Sequence, residues 1–305
     1  GTIPFDVGAS YTLSVLPLFI LMGEVASETG LSTDLFRAAR VMLAGVRGGL
    51  AVAALAASAC FGAVCGSSVA TAATIGRIAL PEMRRAGYDP GLATASIAAG
   101  GSLGILIPPS IIFVIYAAIA EQSVPRLFAA GLFPGLVLTV LYILVAVVVA
   151  NIRKDYAPAG PSVPMIARLK AMREPWQFMA LFFATIGRIS AGVFSPTEAA
   201  AIGAAGAILL GWAGRQLSMA SLIKAIESTV VTCGLLFVII FGANSFSFLM
   251  VQTHLPDLLA TGAHALNLSG PAVMAVIVVA YIVMGCFLEA IGMVLITVPV
   301  FLPLV

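Results

Sequence analysis

Residues 127–150, LFAAGLFPGLVLTVLYILVAVVVA, carry no charge from end to end. A helix needs about 20 apolar residues to cross the hydrocarbon core of a bilayer. Lipid offers no partner to a backbone N–H or C=O, so a spanning segment is held to a helix or a closed barrel. Similar stretches recur at 12–29, 91–120, 177–194, 196–214 and 229–252. The whole chain agrees with them: of 305 residues, 61% are hydrophobic and 9% charged, against about 25% charged in a soluble domain. The chain reads as an all-α polytopic membrane protein whose main solvent is the lipid bilayer. Its net charge of +2 is too small to point to nucleic acid.

Arg and Lys mark the cytoplasmic side. Arg153, Lys154, Arg168, Lys170 and Arg173 place 151–175 there. Segment 127–150 then enters from outside, and 91–120 goes out. Segment 49–83 lies between Arg47 and Arg84-Arg85, which both ask for the cytoplasm. It is too long for one span and short for two. A re-entrant hairpin resolves this, with its tip near CGSSVAT (65–71). Reading forward, 177–194 goes out, 196–214 returns and 229–252 goes out again. A second hairpin is thus expected from 271, entering from the opposite face. Three amphipathic stretches, 32–47, 161–176 and 217–229, suit the membrane interface, with a soluble linker as the alternative.

The two hairpins suggest a repeat. PLFILMGE (17–24) resembles LLFVIIFGA (235–243) in pattern, Gly62 pairs with Gly285, and Pro81 pairs with Pro303. The elements keep their order with opposite orientation. Inverted repeats with re-entrant hairpins and discontinuous helices are a signature of secondary transporters. The organisation expected is a scaffold helix and interfacial arm in 1–48, then hairpin 1 and a broken helix of a transport domain in 49–122. Scaffold helices, the cytoplasmic loop and a second arm fill 123–228. The first helix of repeat 2 and a connection occupy 229–270, and hairpin 2 begins in 271–305. The repeat partner of Pro108-Pro109 would fall near position 331. The chain also starts with Gly rather than Met, so a fragment truncated at both ends is expected.

The chemistry concentrates where a membrane helix is interrupted. GSLGILIPPSIIFVIY (101–116) places two glycines before Pro108-Pro109 and a serine after it. Proline removes an N–H and disturbs the preceding turn, so carbonyls near Gly104–Ile107 need new partners. The C-terminal end of the first half-helix favours a cation, and the N-terminal end of the second favours an anion. The hairpin tip offers hydroxyls and backbone oxygens suited to a hard cation. The sodium candidates are Gly66, Ser67, Ser68, Gly101, Gly104, Pro108 and Glu289, the last an acid at membrane depth. The candidates for a substrate carboxylate are Ser67, Thr71, Pro109, Ser110 and Thr297. The plainer readings are a structural kink at the prolines, small-residue packing for Thr71 and Thr74, and a Glu289 that reaches interface water. Arg77 and Arg188 are further possible carboxylate readers. Cys60, Cys65, Cys233 and Cys286 lie in apolar runs and suit packing; His254 and His264 read as loop residues. Ser195 or Thr197 should cap a helix that starts at Pro196. No Ser/Lys or His/Asp pair and no metal cluster suggests an enzyme, and nothing asks for an organic cofactor.

CGSSVATAATIGRIALPEMRRAGYDPGLATASIAAGGSLGILIPPSIIFVIY, followed by LFAAGLFPG and SPTEAAAIGA, resembles the large membrane subunit of tripartite ATP-independent periplasmic (TRAP) transporters, DctM type. The resemblance covers nearly the whole chain and is most specific over 60–135. It implies an elevator-type carrier that imports organic acid anions, such as C4-dicarboxylates or sialic acids, with Na+ as coupling ion. It also implies a small TRAP membrane subunit, a periplasmic substrate-binding protein and a multi-pass place in the bacterial inner membrane. On this resemblance the first sodium region maps to Gly66–Ser68 and the Gly101–Ser110 break, and the second to the 285–299 hairpin. A binding-protein-independent divalent-anion/sodium symporter is the alternative.

Overall fold

A computed structural model describes residues 13–161, 163–253 and 270–301. His254 and His264, Pro303 and the start of the 12–29 segment lie outside them. The described residues form helices and connections without a strand. They group into two compact units, one of residues 15–111 and 125–230, the other of 112–124 and the chain from 231 onward.

The first unit opens with α1 (Val15–Glu28) and α2 (Leu31–Met42), which are bent by 61°. Gly30 makes the corner with a φ of +75°, a region open to glycine at little cost. α2 is amphipathic as expected, burying Leu31, Leu35 and Phe36 while Arg37 and Arg40 stay out. Arg40 reaches Glu82 at 2.7 Å and so ties this arm to the base of the hairpin.

The segment expected as hairpin 1 is α3 (Gly49–Cys65) and α4 (Ser68–Arg85). α3 is the core of the unit. It packs against α1, α2, α4 and α5 (Pro90–Leu106), and Ala51, Ala53, Ala54, Ala57, Phe61 and Val64 are all buried. Small residues allow this crowding, since in a membrane they let backbones approach closely. Asp89 caps α5, its Oδ1 accepting from the Leu92 N–H at 2.9 Å, with Pro90 in the first turn.

The 91–120 segment is interrupted as expected. α5 ends at Leu106 and α6 (Ile111–Ile119) begins after the prolines, whose Pro108-Pro109 bond is cis. α7 (Val124–Ile152) is the long apolar helix of the opening stretch. Phe133, Val140 and Leu144 on it are exposed, which suits a face toward lipid. In the loop after α7 the amphipathic stretch is reduced to a short helix, α8 (Met165–Ala171). Arg168 Nη2 donates to the Ala44 carbonyl at 2.8 Å, holding the loop to the end of α2.

The 177–194 and 196–214 segments are shorter than a full bilayer. α9 (Trp176–Phe182) continues through a π-helical turn (Phe183–Gly187) into Arg188–Ser190. α10 (Pro196–Ala213) has 18 residues, about 27 Å at 1.5 Å per residue. Ser195, not Thr197, caps it: Ser195 Oγ accepts from the Glu198 N–H, and Glu198 Oε2 accepts from the Ser195 N–H at 2.8 Å. The amphipathic 217–229 stretch and the 229–252 span are one continuous helix, α11 (Met219–Gln252). Its first turns stay near α1 through Lys224 Nζ and Glu28 Oε1, 2.7 Å apart.

The second unit holds the other hairpin, α12 (Gly270–Gly285) and α13 (Ala290–Phe301). Tyr281 and Phe301 make an edge-on ring contact at 5.8 Å between its arms. The register repeats hairpin 1. α3 begins at Gly49 and α12 at Gly270, while α4 begins at Ser68 and α13 at Ala290.

Candidate functional site

The α3–α4 turn is made by two residues. Gly66 takes a φ of +67°, where a side chain would be strained. Ser67 is extended and caps α4, its Oγ accepting from the Ala70 N–H at 3.4 Å. Helix dipole and cap together leave the Ser68 end of α4 with N–H groups directed to the tip.

This tip rests on the interrupted helix. The Ile111 N–H donates to the Gly66 carbonyl at 3.4 Å. A methyl group on Gly66 would lie 2.6 Å from the Pro109 carbonyl oxygen, so the two turns touch through backbone. On α5, a methyl on Gly101 would lie 3.1 Å from the Ser68 carbonyl oxygen. One on Gly104 would lie 2.6 Å from Thr71 Oγ1 and 2.8 Å from the Ser67 carbonyl oxygen. Gly66, Ser67, Ser68, Thr71, Gly101, Gly104, Pro109 and Ser110 are therefore brought together. Pro108 belongs to the same turn by sequence.

Two oxygens stand out within this contact. Thr71 is fully buried, and among the described residues its Oγ1 has no hydrogen-bond partner. The Ser67 carbonyl approaches the same point beside Gly104. A buried hydroxyl left without a partner is costly and uncommon, so a site with such a group beside a carbonyl suits a small hard cation. Ser110 behaves differently. It is 1% exposed, and its Oγ donates to the Ile105 carbonyl at 2.5 Å. Its hydroxyl thus answers part of the break's own need, replacing a partner that the prolines remove. Its oxygen keeps acceptor capacity.

Glu289 and Thr297 lie in the α12–α13 hairpin and are described within that unit. Glu289 stands just before α13, where its Oε2 accepts from the N–H groups of Ile291 at 3.0 Å and Gly292 at 3.3 Å. It occupies the place that Ser67 holds in hairpin 1. Thr297 is buried; its Oγ1 donates to the Met293 carbonyl at 2.7 Å and is bonded to the Tyr281 hydroxyl.

The glycines that let the tip close were not all foreseen. Gly62 on α3 faces Gly104, with 2.6 Å from its methyl position to the Gly104 Cα, and Gly100 faces the buried Ser58. The spacing Ser58, Gly62, Gly66 against Gly100, Gly104 was the available signal, a small residue every four along each helix.

Comparisons with known proteins place this geometry. A model of the family described as tripartite ATP-independent periplasmic transporter, DctM component, matches residues 5–305. The C4-dicarboxylate TRAP transporter large permease protein DctM of Pseudomonas aeruginosa is 35% identical over 302 residues, 98% of this chain and 70% of that protein. The ectoine/5-hydroxyectoine TRAP transporter large permease protein UehC of Ruegeria pomeroyi is 33% identical, over 96% of this chain and 68% of that one. Among solved structures, the Alcanivorax borkumensis YdaH transporter shares the fold with a TM-score of 0.66 at 19% identity, over 99% of this chain and 71% of that one.

Proposed function

The chain belongs to the DctM component family of tripartite ATP-independent periplasmic transporters, and from that premise we propose a sodium-coupled importer of organic acid anions. It is a transport protein, not an enzyme. The reading places it as a multi-pass protein of the bacterial inner membrane. There it works with a small membrane subunit and a periplasmic binding protein that hands over the substrate.

The observation that carries the reading is the closure of the hairpin tip on the α5 break, with the unpartnered Thr71 hydroxyl and the Ser67 carbonyl at the contact. Sodium at this point would satisfy Thr71 and meet the negative end of the α5 dipole. It would thereby fix the tip against Gly101 and Gly104. The start of α4 then offers N–H groups and the positive end of its dipole to a carboxylate, beside Ser67, Thr71, Pro109 and Ser110. Coupling follows from order: the ion preorganises the turn that the substrate needs. Glu289 and Thr297 would contribute the corresponding elements of hairpin 2, and an elevator-like movement would carry the loaded hairpins across. C4-dicarboxylates are the first class to test, because the P. aeruginosa relative is named for them.

The test uses the full-length protein, reconstituted in proteoliposomes with its small subunit and binding protein. Labelled succinate uptake is followed under an inward sodium gradient. Uptake should fall when potassium replaces sodium, and Ser67→Ala/Ser68→Ala should weaken the sodium dependence. Equal uptake in potassium, or an unchanged sodium response in the double variant, would sink the assignment. Uptake that persists without the binding protein would instead favour a stand-alone anion symporter.

A further inference from the structure

Two arginines on α4 take no part in the sodium and substrate contacts. Arg77 and Arg84 lie two turns apart on the exposed edge of the helix, with Ala73 between them and the tip. Both line one groove of about 870 Å³, otherwise walled by small or aliphatic side chains such as Ala72, Ala73, Gly76 and Leu80, with Ile97 of α5. Among the described residues, neither has a carboxylate within ion-pair distance, whereas Arg37, Arg40 and Lys224 do. Glu24 of α1 is near enough to feel the charge of Arg77 without forming a pair with it.

Depth gives this arrangement its meaning. At 1.5 Å per residue, Arg77 stands about 13 Å from the tip and Arg84 about 10 Å further toward the base. An unpaired guanidinium on a re-entrant helix is strongly disfavoured against acyl chains and is found facing protein or a water-filled cavity. On the reading that α4 is re-entrant, the groove beside it would hold water. Its Ala and Gly walls keep it open, and no acid lies among the residues that line it. The two cations form a positive lane from the hairpin tip to the base, which carries Arg84-Arg85 and reads as cytoplasmic.

We propose that this groove is the release path of the organic anion, with Arg77 as its first holding point below the tip and Arg84 as its second. Two weak sites in series suit release, because an ion must be attracted enough to enter and held loosely enough to leave. The proposal rests on the reading that the cargo is an organic anion. Its test needs no transport, so failure of uptake and failure of the groove can be told apart.

Ala73→Cys is introduced into the full chain, reconstituted with its partners in vesicles whose cytoplasmic face is accessible. Its modification by an anionic sulfonate methanethiosulfonate is compared with that by a cationic trimethylammonium one. The rate of the parent chain, set by its native cysteines, is subtracted. The anionic reagent should react faster than on an uncharged surface and the cationic one slower, with a rate ratio of about tenfold for a unit charge a few ångströms away. Arg77→Gln should erase most of that ratio, Arg77→Lys should keep it, and Arg84→Gln should reduce it less. Leu80→Cys gives the same reading from the other side of Arg77, should Ala73→Cys fail to fold. If neither cysteine reacts, the groove is dry and the proposal falls. It falls equally if the ratio survives Arg77→Gln.

Discussion

Gly104→Ala should separate the hairpin tip from the helix break. The added methyl would lie 2.6 Å from Thr71 Oγ1, 2.8 Å from the Ser67 carbonyl oxygen and 3.2 Å from its carbon. Two of these are backbone atoms, which cannot yield by rotation, and the third belongs to the fully buried Thr71. Overpacking of this kind costs about 1–3 kcal/mol. If sodium holds the tip closed, that strain is charged against ion binding, and about 1–3 kcal/mol is a 5- to 150-fold loss of apparent affinity. The assay is thermal unfolding of the purified, detergent-solubilised protein across a sodium titration. The midpoint of the sodium-induced shift should move to higher concentration by that factor. A second variant sharpens the test. Thr71→Ser keeps the hydroxyl but removes the methyl, and combined with Gly104→Ala it gives Oγ1 room to turn away. The double variant should then recover part of the loss, a coupling above about 0.5 kcal/mol for residues in contact. An unchanged sodium midpoint in Gly104→Ala would refute the reasoning, since the contact would then not be part of the ion's closure.

Thr71→Val should act oppositely with and without sodium. The unpartnered hydroxyl is a liability of about 1–3 kcal/mol in the absence of an ion, so the variant should melt higher in sodium-free buffer and lose the sodium-induced rise. Thr71→Ser should keep that rise, and a Val variant that still responds fully to sodium would remove Thr71 from the site. At the other hairpin, Glu289→Ala removes the acceptor for Ile291 and Gly292 and should destabilise the first turn of α13 by about 1 kcal/mol. Amide exchange at Ile291–Met293 should then quicken roughly fivefold, with Glu289→Asp close to normal. Exchange that stays slow would show that capping is not its role.

The hairpin tip was legible because its residues contradict their surroundings: Gly66, Ser67 and Ser68 interrupt an apolar run, as Pro108-Pro109 interrupt another. The meeting of these two interruptions was expected, but the helix packing that brings them together was not legible. α3 is buried on every side, so it carries no polar stripe to show which face meets α5, and the role of Gly62 and Gly100 emerges only from the packing. Ser110 was expected at the substrate, and its hydroxyl is found closing the break through Ile105, a local need that spacing alone does not reveal. α11 hid a different ambiguity. Its polarity changes between the amphipathic start and the apolar body, but no Pro or Gly lies between Met219 and Thr232, so the helix continues. Thr185, by contrast, sits within a π turn that a simple apolar count of 177–194 passes over.

The crowding of α3 against α5 sets a rule for how such chains can vary in nature. Ser58 and Gly100 form a pair in which one member has volume to give: a change that enlarges position 100 can be matched by Gly at 58. Gly62 and Gly104 have no such exchange, because both are already as small as a residue can be. Substitution at either has no compensating change at its partner glycine. Among relatives, the first pair should covary in size, while the second should stay silent, its history visible only as two positions that never move.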